Sequence, residues 1–184
     1  MNKQQTYHFE NAFAEVFQFD NGTEVVEYHA MIHVDSSHLS YPQQLEAVLN
    51  AYSQLIEGEL SGAQAVFKRY FLSDAANQAD DVIASDVTDC AKSIIQQAPL
   101  DGTKIALWVY LMTNVQTGIG KSGLYEVRHG DFRHLWNGSA HNMAANSEYG
   151  DGALPNSRYS TIVDVSWVLA LLALAPRTEK EAAS

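Results

Sequence analysis

The sequence contains a single cysteine, Cys90, so no disulfide bond can form within the chain. This fits a reducing compartment. Basic residues are also scarce, with 11 lysines and arginines against 22 aspartates and glutamates and a formal net charge of -11. Because this charge repels a phosphate backbone, it argues against broad nucleic-acid binding, although a local basic pocket is still compatible with it.

Long apolar runs are missing as well. The N-terminus lacks the continuous apolar segment of a signal peptide. The most apolar stretch, Ile162–Ala175, has about fourteen residues where a membrane span needs about twenty, and it contains Asp164. With 46% hydrophobic and 18% charged residues, the 184-residue chain is expected to be globular, with one domain or one domain plus an appendage. We expect a cytoplasmic protein with no membrane partner, and a buried helix at Ile162–Ala175.

The motifs of nucleotide, metal and nucleophile sites are incomplete. The tripeptide Gly120-Lys121-Ser122 matches the end of a P-loop, but Val115 stands where the first glycine is required. His29 and His33 on one strand would be about 13 Å apart, too far to share a metal ion. Cys90 lies on an apolar helical stripe, where a packed and inert thiol is the better interpretation. We therefore expect neither a metal nor a cofactor.

Hydrophobic periodicity predicts a series of strands and helices. Strands at 13–19 and 23–34 flank Asp20-Asn21-Gly22, which has the composition of a hairpin turn. Ser40 and Gly58 bracket an amphipathic helix. The remaining elements are a strand at Ala65–Leu72, a second helix from about Ala79 to Ile95, and a buried strand at Lys104–Met112. This ββαβαβ order predicts an α+β fold with the helices on one face of the sheet and the last strand in its middle.

The chain changes character after Met112. Residues 113–122 are polar and contain glycines, which predicts a linker. Residues 123–184 form a C-terminal extension, with a predicted hairpin turning at Gly130-Asp131 and the apolar helix described above. The predicted organisation is therefore a domain at 1–112, a linker at 113–122 and an extension at 123–184.

Two adjacent cations, Lys68 and Arg69, lie inside the strand predicted at 65–72. Side chains alternate along a strand, so one of the two must approach the covered face of the sheet or a subunit interface. An anion contact and a salt bridge at the rim of the sheet are the two interpretations. We include Arg69 among the candidate substrate-binding residues.

The order of the elements and the phrase QLEAVLNAYSQLIEG…A..VFKRYFLSD resemble the Rid family, also called YjgF or endoribonuclease L-PSP, over about residues 8–112. The resemblance implies a chorismate-mutase-like fold that assembles as a homotrimer with clefts between subunits. Active members hydrolyse imines and enamines without a metal or cofactor. An arginine just after the proline that precedes the third long strand binds the substrate carboxylate in a bidentate contact.

Counting from Pro99 places this arginine position on Asp101, and the nearest cation is Lys104. A carboxylate at this position repels a carboxylate ligand, and a lysine lacks the planar fork of arginine. Lys104, Asp101 and Arg69 are the candidate substrate-binding residues. We expect a Rid-like protein that binds a small carboxylated imine or enamine metabolite at subunit clefts, with weak or lost deaminase activity.

Two other functions stay open. The chain is alternatively a non-catalytic small-molecule-binding or assembly module. The hairpin in the extension also resembles the opening of the second unit in chorismatase-type two-unit proteins, which would make the chain a chorismatase-related pseudoenzyme. Ribonuclease activity, implied by the older family name, conflicts with the net charge of -11 and is the least favoured function.

Overall fold

A computed structural model describes residues 2–88, 90–119 and 125–136, all within one compact unit, Met1–Ser139. The tripeptide at 120–122, the helix expected at 162–175 and all of the extension except residues 125–136 lie outside the described residues. The elements are β1 Lys3–Phe9, β2 Ala12–Phe19, β3 Glu27–Val34, α1 Tyr41–Glu57, β4 Ala63–Leu72, α2 Ala75–Ser85, β5 Ala91–Gln96, β6 Ile105–Thr113, β7 Gln116–Ile119, β8 Tyr125–His129 and β9 Phe132–Trp136.

Six strands form one sheet in the order β1-β2-β3-β6-β4-β5. Strands β4 and β5 are parallel, and every other pair in this sheet is antiparallel. The predicted α+β class is confirmed, and β6 lies between β3 and β4 as the continuous apolar run of its sequence predicted. The exposed strand β1 was not predicted, because its sequence KQQTYHF is mostly polar and occupies a sheet edge.

The helix α1 begins where its sequence predicts. The side-chain oxygen of Gln43 accepts a hydrogen bond from the Ser40 backbone N–H at 3.0 Å, and Pro42 occupies the first turn. Leu45, Val48 and Leu55 of this helix are buried in the main core, together with Val82 of α2 and the inward residues of the sheet. Both helices pack against the same face of the sheet, as predicted.

The second helix is shorter than the sequence predicted. It ends at Ser85, and residues Ala91–Gln96, expected to be its last turns, form strand β5. Ile94 and Ile95 are β-branched and fit a pleated surface well, and the free edge of β4 supplies the hydrogen-bond partners of this segment. The apolar residues of α2 and β5 together have a helical spacing in the sequence, which is why a single long helix was predicted.

A second, three-stranded antiparallel sheet has the order β7-β8-β9. Its hairpin turns at Gly130-Asp131 as predicted, with Gly130 at a φ of 53°. Strand β7 lies within residues 113–122, where we expected only a linker. Val115 and Val127 of this region pack against Phe67 on the face of the large sheet opposite the helices. No helix in the described part of the chain is long and apolar enough to cross a membrane.

A buried amide joins α1 to the start of β6. Gln44 is 0% exposed; its Nε2 donates to the Leu39 carbonyl at 2.8 Å, and its Oε1 accepts from the Lys104 backbone N–H at 2.7 Å. The Lys104 carbonyl in turn accepts from the Ser73 N–H at 3.0 Å. Gln44 therefore fixes the connection from β5 to β6 against the helix layer.

We expect Gln44→Ala to lower the free energy of unfolding by about 1–3 kcal/mol, because it leaves a buried donor and a buried acceptor without their partner. The exposed Gln54 on the same helix provides a matched control, and Gln54→Ala should change stability by less than about 0.5 kcal/mol. Chemical denaturation of both variants measures the difference. Equal stabilities would show that this amide does not hold the connection.

Candidate functional site

The face of the six-stranded sheet opposite the helices carries a group of rings. The group has five members, which we call the aromatic cluster: His29, Phe67, Trp108, Tyr110 and Trp136. The His29 ring stacks on Tyr110 with ring centres 4.7 Å apart and on Trp108 at 5.6 Å, and Phe67 lies 5.6 Å from Trp108. Trp136, from β9, lies 5.8 Å from Phe67 and 5.5 Å from Tyr110. Rings from both sheets therefore form one surface.

Arg69 lies on this surface. Its guanidinium carbon is 5.4 Å from the centre of the Phe67 ring and 6.0 Å from that of Trp108, within the range of cation–π attraction. The side chain is half-buried, and its Nε is buried without a hydrogen-bond partner. Within the described residues no carboxylate forms an ion pair with Arg69. A buried donor without an acceptor is costly, so this arrangement suits an acceptor that the described residues do not supply.

Trp136 resembles Arg69 in having a buried donor without a hydrogen-bond partner among the described residues. Its indole Nε1 is buried and has no hydrogen-bond partner. In the part of the chain that the structure describes, Arg69 Nε and Trp136 Nε1 are the two buried side-chain donors left unpaired, and both residues border the Phe67 ring. Sequence reasoning missed Trp136, because no local pattern shows that β9 folds back over β4.

The titratable groups of the aromatic cluster are held in neutral form. Burial lowers the pKa of His29, and the nearby Glu27 carboxylate opposes this shift only in part. The hydroxyl of Tyr110 donates to Glu27 Oε2 at 2.6 Å, and burial together with that carboxylate raises the pKa of Tyr110. His29 is therefore an uncharged imidazole at neutral pH, able to exchange a proton.

Asp101 belongs to a tight turn between β5 and β6. Its carboxylate accepts hydrogen bonds from the backbone N–H of Thr103 at 2.9 Å and from the Thr103 hydroxyl at 2.6 Å. Gly102, at a φ of 81°, completes the turn by donating to the Pro99 carbonyl at 3.3 Å. The count that placed a binding residue at Asp101 assumed a helix directly before this connector, whereas β5 precedes it.

Lys104 is half-buried just before β6 and is bonded through its backbone to Ser73. In the antiparallel β4–β6 ladder, Arg69 pairs with Trp108, which comes four residues after Lys104. Four residues of extended strand span about 13 Å, so the backbone positions of Lys104 and Arg69 are well separated. The three candidates from the sequence thus occupy two places: Asp101 and Lys104 at the connector, and Arg69 in the aromatic cluster.

Lys68 takes the other face, as side-chain alternation predicted for one of the two cations. It is 0% exposed, and its Nζ lies 3.0 Å from both Asp86 oxygens and 2.6 Å from Thr88 Oγ1. The same ammonium lies 3.8 Å from the centre of the Tyr52 ring, and the Tyr70 hydroxyl donates to Asp86 Oδ2 at 2.7 Å. A ligand cannot reach this network from solvent, so its role is structural.

The Asp86 carboxylate is the centre of that network. Burial alone would raise the pKa of Asp86, but the Lys68 ammonium and hydrogen bonds from Thr88, Tyr70 and Lys68 outweigh burial and lower it. Cys90 lies nearby between α2 and β5, and burial raises the pKa of its thiol, which fits the interpretation of an inert cysteine.

The two arginines of the small sheet differ from Arg69 in having partners. Arg128 and Arg133 both donate to the buried Glu126 on the small sheet. Among the residues that the structure describes, no group of three or more histidine, cysteine, aspartate or glutamate side chains is arranged to hold a metal ion.

Comparisons of the chain with protein-family models, with curated proteins and with solved structures gave no match.

We expect Asp86→Asn to lower the free energy of unfolding at pH 7 by about 3 kcal/mol, because it leaves the buried Lys68 ammonium without a counter-charge. The exposed Asp80 on α2 gives the control variant Asp80→Asn, which should have little effect. The stability deficit of Asp86→Asn should shrink as the pH falls below about 4, the ordinary pKa of aspartate. In this range Asp86 becomes protonated in the unfolded wild-type chain before it does in the folded chain, so the wild type loses stability.

Denaturant titrations of the wild type and both variants between pH 3 and 7 measure this. A deficit that does not change with pH would mean that Asp86 stabilises the fold without its charge.

Proposed function

We propose that the chain is a Rid-like protein that binds a small carboxylated imine or enamine metabolite, with Arg69 as the residue that binds the carboxylate. The sheet order β1-β2-β3-β6-β4-β5, with both helices on one face, supports the chorismate-mutase-like part of this proposal. The observation that carries the functional part is the buried, unpaired Nε of Arg69.

An arginine suits this ligand for geometric reasons. A guanidinium presents parallel N–H groups that match the two oxygens of a carboxylate. In Arg69 the guanidinium lies over the rings of Phe67 and Trp108, which limits the orientations it can take. Little conformational freedom is then lost when the ligand binds, so more of the interaction energy contributes to affinity.

The reaction that fits this ligand is hydrolysis of the imine. Water adds to the imine carbon, and the resulting carbinolamine releases ammonia and leaves an oxo acid. His29 is the neutral titratable group of the aromatic cluster that can take the proton from water. Its ring stacks on Trp108, which also contacts Arg69. No metal or cofactor takes part in the proposed reaction.

Exposed rings support assembly as a homotrimer. Phe17 and Phe19 of β2 are 38% and 44% exposed on the same side of the sheet as His29, and Phe19 contacts the His29 ring edge-on at 5.4 Å. Exposed apolar side chains beside a binding surface are typical of an interface between subunits. In the proposed trimer a neighbouring subunit covers these rings and closes the cleft over Arg69.

A non-catalytic binding module is the second candidate function. The observation that favours it is the state of Glu27, the carboxylate beside His29, which accepts a hydrogen bond from Tyr110. Because Tyr110 takes up one oxygen of this carboxylate, fewer of its acceptor positions are left to orient a water. The two candidates share the ligand and differ in turnover.

We expect the wild type to bind 2-oxopentanoate, the product of hydrolysing the five-carbon 2-imino acid, and Arg69→Gln to weaken this binding about tenfold or more, because a charged hydrogen bond is lost. Lys104→Gln removes a cation at the other candidate position and should leave the affinity within about twofold. Isothermal titration calorimetry gives both values. An affinity that depends on Lys104 and not on Arg69 would place the carboxylate at the connector instead.

Turnover separates the two candidate functions. In this assay a pyridoxal-phosphate-dependent lyase generates 2-aminoacrylate in the cuvette. If the chain is an enzyme, the wild type should accelerate the release of ammonia from 2-aminoacrylate, and Arg69→Gln should abolish the acceleration. Binding of 2-oxopentanoate with no rate above buffer would leave only the binding module.

A further inference from the structure

We propose that Trp136 is a specificity-determining residue of the same site, whose indole N–H donates to a second acceptor on the ligand. This inference rests on the proposed function and adds to it a second residue that selects the ligand. The preferred ligand carries, besides its carboxylate, an uncharged acceptor such as a carbonyl oxygen or an imine nitrogen.

The two donors lie close together. The Phe67 ring centre is 5.4 Å from the Arg69 guanidinium carbon and 5.8 Å from the ring centre of Trp136. A ligand with its carboxylate on Arg69 therefore has its remaining atoms close to Trp136. The two donors come from different sheets, Arg69 from β4 and Trp136 from β9, and they meet at this ring.

Hydrogen-bond satisfaction also supports this role. A buried tryptophan N–H normally finds an acceptor, because leaving it unpaired costs free energy. Trp136 Nε1 has none among the described residues. An acceptor on the ligand would satisfy Trp136 at the same time as the carboxylate satisfies Arg69.

The chemistry of the two donors makes the site selective. An indole nitrogen is a donor only, so it cannot pair with an ammonium group, which is also a donor only. The positive charge of Arg69 also disfavours an ammonium close to it. The site therefore distinguishes oxo and imino acids, which present an acceptor, from amino acids with the same carbon chain.

Four five-carbon probes test this: pentanoate, 2-oxopentanoate, 4-oxopentanoate and norvaline, titrated calorimetrically into the full chain. At least one of the oxo acids should bind about 2- to 10-fold more tightly than pentanoate, the value of one neutral hydrogen bond, and norvaline should bind more weakly than pentanoate. The two oxo acids place the carbonyl at different distances from the carboxylate, so the better one reports the spacing.

Trp136→Phe keeps a ring against Phe67 and removes the N–H. It should remove the advantage of the oxo acid and leave pentanoate within about twofold. Phe132→Leu changes a ring on the same strand, β9, that is 71% exposed and outside the aromatic cluster, so this variant should keep the preference. A preference that persists in Trp136→Phe, or one that is absent from the wild type, would overturn the inference.

The failures are distinguishable. Pentanoate binding that depends on Arg69, with no oxo-acid preference, overturns the role of Trp136 alone, whereas no Arg69-dependent binding of any probe overturns the proposed function with it. If Trp136→Phe does not fold, the indole N–H signals of the wild type in a ¹H–¹⁵N spectrum provide the second measurement. The Trp136 signal should shift further with the preferred oxo acid than with pentanoate, and equal shifts would count against the inference.

Discussion

The ion pair between Lys68 and Asp86 holds β4 to the connection between α2 and β5. Both side chains are almost fully buried, and each is bonded to more than one partner. A buried charge is tolerated only where its partner is fixed in place. The ion pair therefore fixes against β4 the segment that leads from α2 into β5, the strand that pairs in parallel with β4. Because side chains alternate along β4, fixing Lys68 toward the helices also fixes Arg69 toward the aromatic cluster. The position of the candidate site thus depends on a network that no ligand touches.

The acidity of the chain is compatible with an anionic ligand. A net charge of -11 repels a carboxylate at long range, but salt screens exposed charges over about 8 Å at physiological ionic strength. Close to the surface, the local environment decides. Arg69 is half-buried among rings, where the effective dielectric constant is lower than in water and an unpaired guanidinium attracts an anion more strongly. The arginines on the small sheet are already bound to Glu126 and do not compete for it.

Local signals predicted the elements that local interactions stabilise. The turn at Asp20-Asn21-Gly22 is closed by the Asp20 carboxylate, which accepts from the Gly22 N–H at 2.9 Å, and this bond is encoded within three residues. Strand β5 was missed because its conformation depends on the edge of β4, which its own sequence does not reveal. Alternation correctly separated Lys68 from Arg69 but did not show which side each would take. That choice depends on Asp86, eighteen positions along the chain from Lys68.

The small sheet is part of the candidate site in physical terms. Strand β9 brings Trp136 onto Phe67, while Val115 and Val127 bury apolar surface against the large sheet. Two unpaired donors then lie near one ring, and each was brought there by a different sheet. A charged fork and a neutral N–H make different demands on a ligand, so the proposed site assigns charge and polarity to separate elements. In that proposal the affinity for a carboxylate follows from β4, and the choice among carboxylates follows from how β9 packs on it.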